Sequence, residues 1–296
     1  MPILLPVLFA LGAALSNAFA TVLQRKAALV VPRSQGFRAG LVLDLLRRPV
    51  WLAGMAAVIV AGACQAVALG TGPLTIVQPL FVLELPLALM LATRLLHGSL
   101  PRAGWVASGA VVVGLGVALW AAAPSGNRTD VPVDRWLVAL PVCAAVVLAL
   151  TAAALRRPEG RTRAACLGTA TAICYAVTAA LMKEAVHILD DHGLGAFLTA
   201  WQTYAFAAAG VAALLLLEHA MQAGPLVASQ PAFTLGDASV SLCLGILLFE
   251  EHVRTGWWLL PQAAGVALVV FGVLALARMP LARTLATSDK PGAAVP

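Results

Sequence analysis

The stretch Gly72-Pro73-Leu74-Thr75-Ile76-Val77-Gln78-Pro79-Leu80-Phe81 recurs 152 residues later as Gly224-Pro225-Leu226-Val227-Ala228-Ser229-Gln230-Pro231-Ala232-Phe233. Six of the ten positions are identical without a gap, and the same offset carries Gly104-Trp105 onto Gly256-Trp257. At an offset of 157, the first apolar run meets the sixth and Lys26 falls on Lys183. Each copy of the motif opens a long apolar run. Working outward from the pair, nine such runs stand out, at about 3–24, 51–70, 74–96, 104–123, 136–155, 164–182, 195–217, 225–249 and 258–277. A helix of about 20 apolar residues crosses a bilayer, and a run of that length in lipid must close its own backbone hydrogen bonds. No run alternates polar and apolar residues at period two, which argues against strands. The expected fold is all-α: a polytopic membrane protein of nine transmembrane helices.

Composition agrees. Of 296 residues, 61% are hydrophobic and only 11% charged. A soluble domain holds about 45–50% and about 25% respectively. A soluble enzyme, a nucleic-acid-binding domain and a disordered chain are therefore excluded. The net charge of +6 reads as basic cytoplasmic loops, with no nucleic-acid partner. Assigned to alternate sides, the lysines and arginines divide fifteen against four; the poorer side holds only Arg128, Arg135, Lys183 and Arg254. The positive-inside rule then puts the N-terminus outside and the C-terminus in the cytoplasm. Ala18-Phe19-Ala20 mimics a cleavage site, but no basic residue precedes the first run, so an uncleaved helix is expected. The arginine-rich, alanine-rich composition points to a GC-rich bacterium and hence to its inner membrane. Residues 36–48 could form an interfacial amphipathic helix or an ordinary loop, and 279–296 read as a disordered cytoplasmic tail.

The chain thus divides into a single transmembrane domain over 1–278. It comprises a first repeat (about 3–123), a linking helix (136–155) and a second repeat (about 164–278). The first run enters from outside and the sixth from inside, so the two four-helix repeats are inverted copies. Inverted repeats point to a secondary transporter with its site near the midplane.

The G-P-L-x-x-x-Q-P-x-F hairpins resemble those of the drug/metabolite transporter (EamA-like) superfamily. Ser16-Asn17-Ala18-Phe19 leading to Gln24-Arg25-Lys26-Ala27 in the first helix adds to the likeness. Nine helices, an outside N-terminus and Trp51-Leu52-Ala53-Gly54 look most like its NIPA-like magnesium transporter branch. Magnesium as a transported ion is implied by this branch resemblance alone. The chain departs from the superfamily where the first half has His97-Gly98 and the second Glu250-Glu251.

Two carboxylates lie near mid-span, Glu84 in the third run and Asp237 in the eighth. A charge at the bilayer centre costs at least about 2.5–3.5 kcal/mol and faces a partner or a wet cavity. The pair is the expected cation-binding or proton-relay site, and the only expected metal ligands. The alternative is that each acid is protonated and hydrogen-bonds a neighbouring helix. Pro79 and Pro86 should loosen the backbone around Glu84, and Gly236 should do the same beside Asp237. Gln78, Gln230, Asn17 and Gln65 complete the expected substrate-binding set, with Gln202, Tyr175 and Tyr204 as further lining candidates. Arg94 and Lys183 should snorkel to headgroups. Trp51, Trp105, Trp136, Trp257 and Trp258 should form an interfacial belt. The five histidines fall at or beyond run ends, and the five cysteines read as packing residues. No HExxH, GxxxxGK[ST], GxSxG or CxxC motif is present, so neither an enzyme nor an ATP-driven pump is expected.

The expected function is transport of a small polar solute or divalent cation by alternating access, with no resident cofactor, in the lipid bilayer, and with a homodimer allowed. One alternative is export of an organic metabolite or drug in exchange for protons. Another, of a different class, is a non-transporting scaffold or accessory subunit.

Overall fold

The apolar runs fold into helices, and a computed structural model describes residues 3–29, 49–95, 100–126 and 128–279. The proposed interfacial helix at 36–48, His97, Gly98 and the tail from 280 onward lie outside the described residues. In chain order the helices are α1 (Leu4–Leu29), α2 (Pro49–Thr71), α3 (Leu74–Leu95), α4 (Arg102–Ala122), α5 (Val133–Leu155), α6 (Arg161–Thr199), α7 (Trp201–Ala223), α8 (Leu226–Phe249) and α9 (Leu259–Ala277). All nine of these, among the described residues, contain a stretch long and apolar enough to cross a membrane. The chain is all-helical there, with one isolated bridge between Ser125 and His252.

The helices run up and down between two ends. At one end Gly72, after α2, closes on Pro6 at the start of α1. The turn after α4 pairs there with the segment after α8, through Ser125 with His252 and Ala122 with Arg254. At the opposite end the Gly160 amide donates to Ala223, joining the start of α6 to the finish of α7. α1 packs on α2, α6 on both α7 and α8, and α4 on α9. α5 lies against α6 at the periphery, with Leu137, Val138 and Leu148 exposed. Such apolar exteriors suit lipid rather than water.

Two helices differ from the sequence-based expectation. The sequence predicts the sixth run at 164–182 and the seventh at 195–217, but α6 continues to Thr199 and α7 spans Trp201–Ala223. The apolar run stops at Lys183-Glu184 because both side chains are charged, yet the helix carries on because both are buried and paired, as shown below. His187 and His192 consequently lie within α6, and His219 within α7. α6 bends only at Gly193, whose φ of 78° is one that glycine adopts without a steric penalty.

α3 is also not one continuous α-helix. Pro79 lacks an amide hydrogen, and a 3-10 turn at Phe81–Leu83 separates Leu74–Leu80 from Glu84–Leu95. The break ends at Glu84, as the proline reading anticipates. α8 shows no such break despite Pro231. Gly236 stays helical, and its missing side chain instead admits Ala172 of α6, which an added Cβ would approach to 2.8 Å. Its role is close packing, not backbone loosening.

Candidate functional site

The break in α3 puts Glu84 at the head of a new helical segment facing α1 and α8. Asn17 of α1 donates an amide hydrogen to Glu84 Oε2 at 3.2 Å. Asp237 lies on α8 within reach of the Ser241 hydroxyl one turn on, at 3.5 Å. Both acids line one cavity of about 300 Å³. Gln78, Gln230, Asn17 and Gln65 line the same cavity, so all six residues singled out from the sequence come together. Tyr175 of α6 joins them and stacks edge-on against Phe233, with ring centroids 5.1 Å apart.

The sequence reading missed Thr21, Phe81, Phe233 and Thr234, which also line this space. Phe81 and Phe233 are matching positions of the repeated motif, which was the available signal. Two candidates are misplaced. Tyr204 is 65% exposed and donates its hydroxyl to Leu198 O, and Gln202 bonds Glu184 instead.

The lining is acidic and uncharged-polar on aromatic and aliphatic walls. Among the described residues it contains no lysine, arginine or histidine. Gln78 is 3% exposed and its amide nitrogen has no hydrogen-bond partner among the described residues. A buried amide without a partner carries a desolvation cost that a ligand or water would relieve. Among the described residues no group of three or more Asp, Glu, His or Cys side chains could enclose a metal ion. The lining reaches Met221 and Ala277, where α7 and α9 finish.

The opposite end is closed by charge. Lys183 does not snorkel. It is buried, and its Nζ meets Glu251 Oε1 at 2.6 Å, with the ammonium 4.3 Å from the centre of the Phe249 ring. Glu251 also accepts the amide hydrogens of Leu74 (2.6 Å) and Thr75 (2.7 Å), the first residues of α3. These are amides a helix start leaves without intrahelical partners, and a carboxylate there also meets the positive end of the helix dipole. One side chain thus ties α3, α6 and the end of α8. Beside it Glu184 accepts from Trp136 Nε1 and from Gln202 Nε2. Trp136 is therefore no belt residue: it is 2% exposed and anchors α5 to α6. Outside this core, Glu250 pairs with Arg135 and Arg128. The hydrogen bond from Arg135 is the main reason its carboxyl sits below the usual range.

No family model matches the chain, and no solved structure matches it. It is 32% identical over 278 residues to an uncharacterized protein of Corynebacterium glutamicum, an alignment covering 93% of this chain and 94% of the relative. At that identity over nearly the full length of both, the chain belongs to the same family as the corynebacterial protein.

Proposed function

We propose that this protein is a secondary transporter of the drug/metabolite type, carrying a small polar solute or cation across a bacterial inner membrane by alternating access. One observation carries the reading. Six polar side chains from α1, α2, α3 and α8 converge on a cavity in an otherwise apolar bundle, and a buried ion pair fastens the end beyond it. Intramembrane acids that face a cavity mark ion and substrate pathways.

The helix pairings support two inverted repeats. α1 on α2 corresponds to α6 on α7, α1 on α3 corresponds to α6 on α8, and α4 meets its own counterpart α9. Cavity and repeat interface coincide, since Gln78 and Gln230 are matching positions of the motif. The fastened end is the side poor in basic residues, and three of its four cations are paired with the two carboxylates Glu250 and Glu251. That sharpens the charge asymmetry and supports an outside N-terminus with the cavity reaching the cytoplasmic side. Glu84 and Asp237 then bind proton or cargo in turn, which couples the two fluxes.

Reconstitution into liposomes with a pH-sensitive dye inside tests this. Addition of a transported solute should move protons in the wild type, and both Glu84→Gln and Asp237→Asn should reduce that signal at least tenfold while the proteins remain folded. Flux that survives the double substitution contradicts the reading. Absence of any flux across a broad solute panel would favour a scaffold.

A further inference from the structure

We infer that the cavity takes a small organic dication, of the linear diamine class, held between Glu84 and Asp237. The inference rests on the transporter reading for its physiological meaning, but not for its binding chemistry.

Charge balance is the first argument. Two carboxylates face a space whose lining, among the described residues, offers no cationic side chain. Among the described residues each has one neighbour that donates to it: the Asn17 amide to Glu84 and the distant Ser241 hydroxyl to Asp237. A buried carboxylate without a counter-charge is costly. With both acids ionised, an anionic cargo would add to that cost and a neutral one would leave it to be met by protonation. A monocation leaves one acid to be balanced separately, whereas a dication balances both.

The walls decide which dication. Magnesium demands near-octahedral coordination by about six oxygens at about 2.0–2.1 Å. Here the acids come from two different helices, no third acid or histidine joins them among the described residues, and magnesium held in the space of about 300 Å³ would keep most of its waters, which the apolar and aromatic walls serve poorly. That volume is at the low end of organic ligand pockets, which hold about 300–1,000 Å³. Phe81, Phe233 and Tyr175 line it. Aromatic faces attract ammonium groups, and apolar walls suit a methylene chain between them. The unpartnered Gln78 amide supplies a further polar contact. Its terminal torsion decides whether oxygen or nitrogen meets the ligand.

The test is binding to the purified full-length protein, read as thermal stabilisation and by calorimetry. The probes are 1,4-diaminobutane, n-butylamine and magnesium chloride. A ligand selective for the folded state raises stability by mass action. We expect saturable stabilisation by 1,4-diaminobutane, at least tenfold weaker binding of n-butylamine, and loss of the diamine effect in both Glu84→Gln and Asp237→Asn. Phe233→Leu keeps an apolar side chain and both acids. It should weaken diamine binding roughly threefold to tenfold, which gives a readout even if an acid variant fails to fold. Saturable stabilisation by magnesium without a diamine effect overturns the inference. So does no diamine effect at all, or a diamine effect unchanged when both acids are replaced. Transport is scored separately. Diamine that binds as expected but is never carried in proteoliposomes refutes the transporter reading and leaves the site. Glu84-dependent flux of another solute without diamine binding refutes the site and leaves the transporter.

Discussion

Glu251 holds together three parts of the chain with two oxygen atoms. Oε1 receives both Lys183 and the Leu74 amide, and Oε2 receives Thr75. Removing one member of a buried ion pair leaves the other charge uncompensated, at a cost of about 3–5 kcal/mol. Lys183→Met should therefore lower the melting temperature sharply. Adding Glu251→Gln should recover part of the loss, because the amide oxygen can still accept from α3 without a net charge. A Lys183→Met protein that melts like the wild type would mean the pair is not formed. Gly245 makes room for this carboxylate: a Cβ there would stand 2.5 Å from Glu251 Oε2. Gly245→Ala should then destabilise in the same assay. Gly62→Ala, whose Cβ meets nothing within 4 Å, should leave the melting temperature unchanged or slightly raised.

At the scale of elements, α4 and α9 approach so closely that Gly265 touches backbone. An added Cβ would lie 2.6 Å from both Ala118 N and Gly114 O. Backbone cannot swing aside as a side chain can, so Gly265→Val should force the helices apart and cost at least about 1–3 kcal/mol. Loss of folded protein in size-exclusion chromatography would show it, and a well-folded, fully stable variant would refute the close contact. The helices were legible in the sequence wherever one side of the chain faces lipid, because a lipid-facing helix must stay apolar along its whole length. That is why α3, α4, α5, α8 and α9 fall within a few residues of their apolar runs. Hydropathy failed at the end of α6, where Lys183 and Glu184 are charged yet internal. Their partners, the Glu251 counter-charge of Lys183 and the Trp136 and Gln202 donors to Glu184, lie elsewhere in the sequence, and hydropathy has no way to register them. The signal that remained was the apolar pattern resuming at Ala185, Val186, Ile188 and Leu189. The cavity residues were legible for the converse reason. A lone acid or amide in an apolar run must face something other than lipid, and the repeat said which helices would bring them together. The aromatic walls were not legible, since phenylalanine in such a run serves lipid, core or cavity alike.

At the scale of the whole molecule, the bundle has a polar cavity reaching one end and a charged fastening at the other. A transporter working by alternating access must be able to exchange these roles. In the proposed cycle the Lys183–Glu251–α3 junction is one of the contacts that hold the present state closed at that end. Weakening that junction should shift the population toward a state open at the opposite end, by as much as the lost interaction favoured the closed one. The direct measurement is two-sided labelling. Thr234, which lines the cavity, is replaced by cysteine in a background where Cys64, Cys143, Cys166, Cys174 and Cys243 are removed. Oriented vesicles are then exposed to a membrane-impermeant maleimide from either face. The account predicts that labelling comes mainly from the face where α7 and α9 finish, and that Glu251→Gln raises labelling from the other face severalfold. Labelling from one face only, unchanged by Glu251→Gln in a folded protein, would contradict alternating access through this cavity.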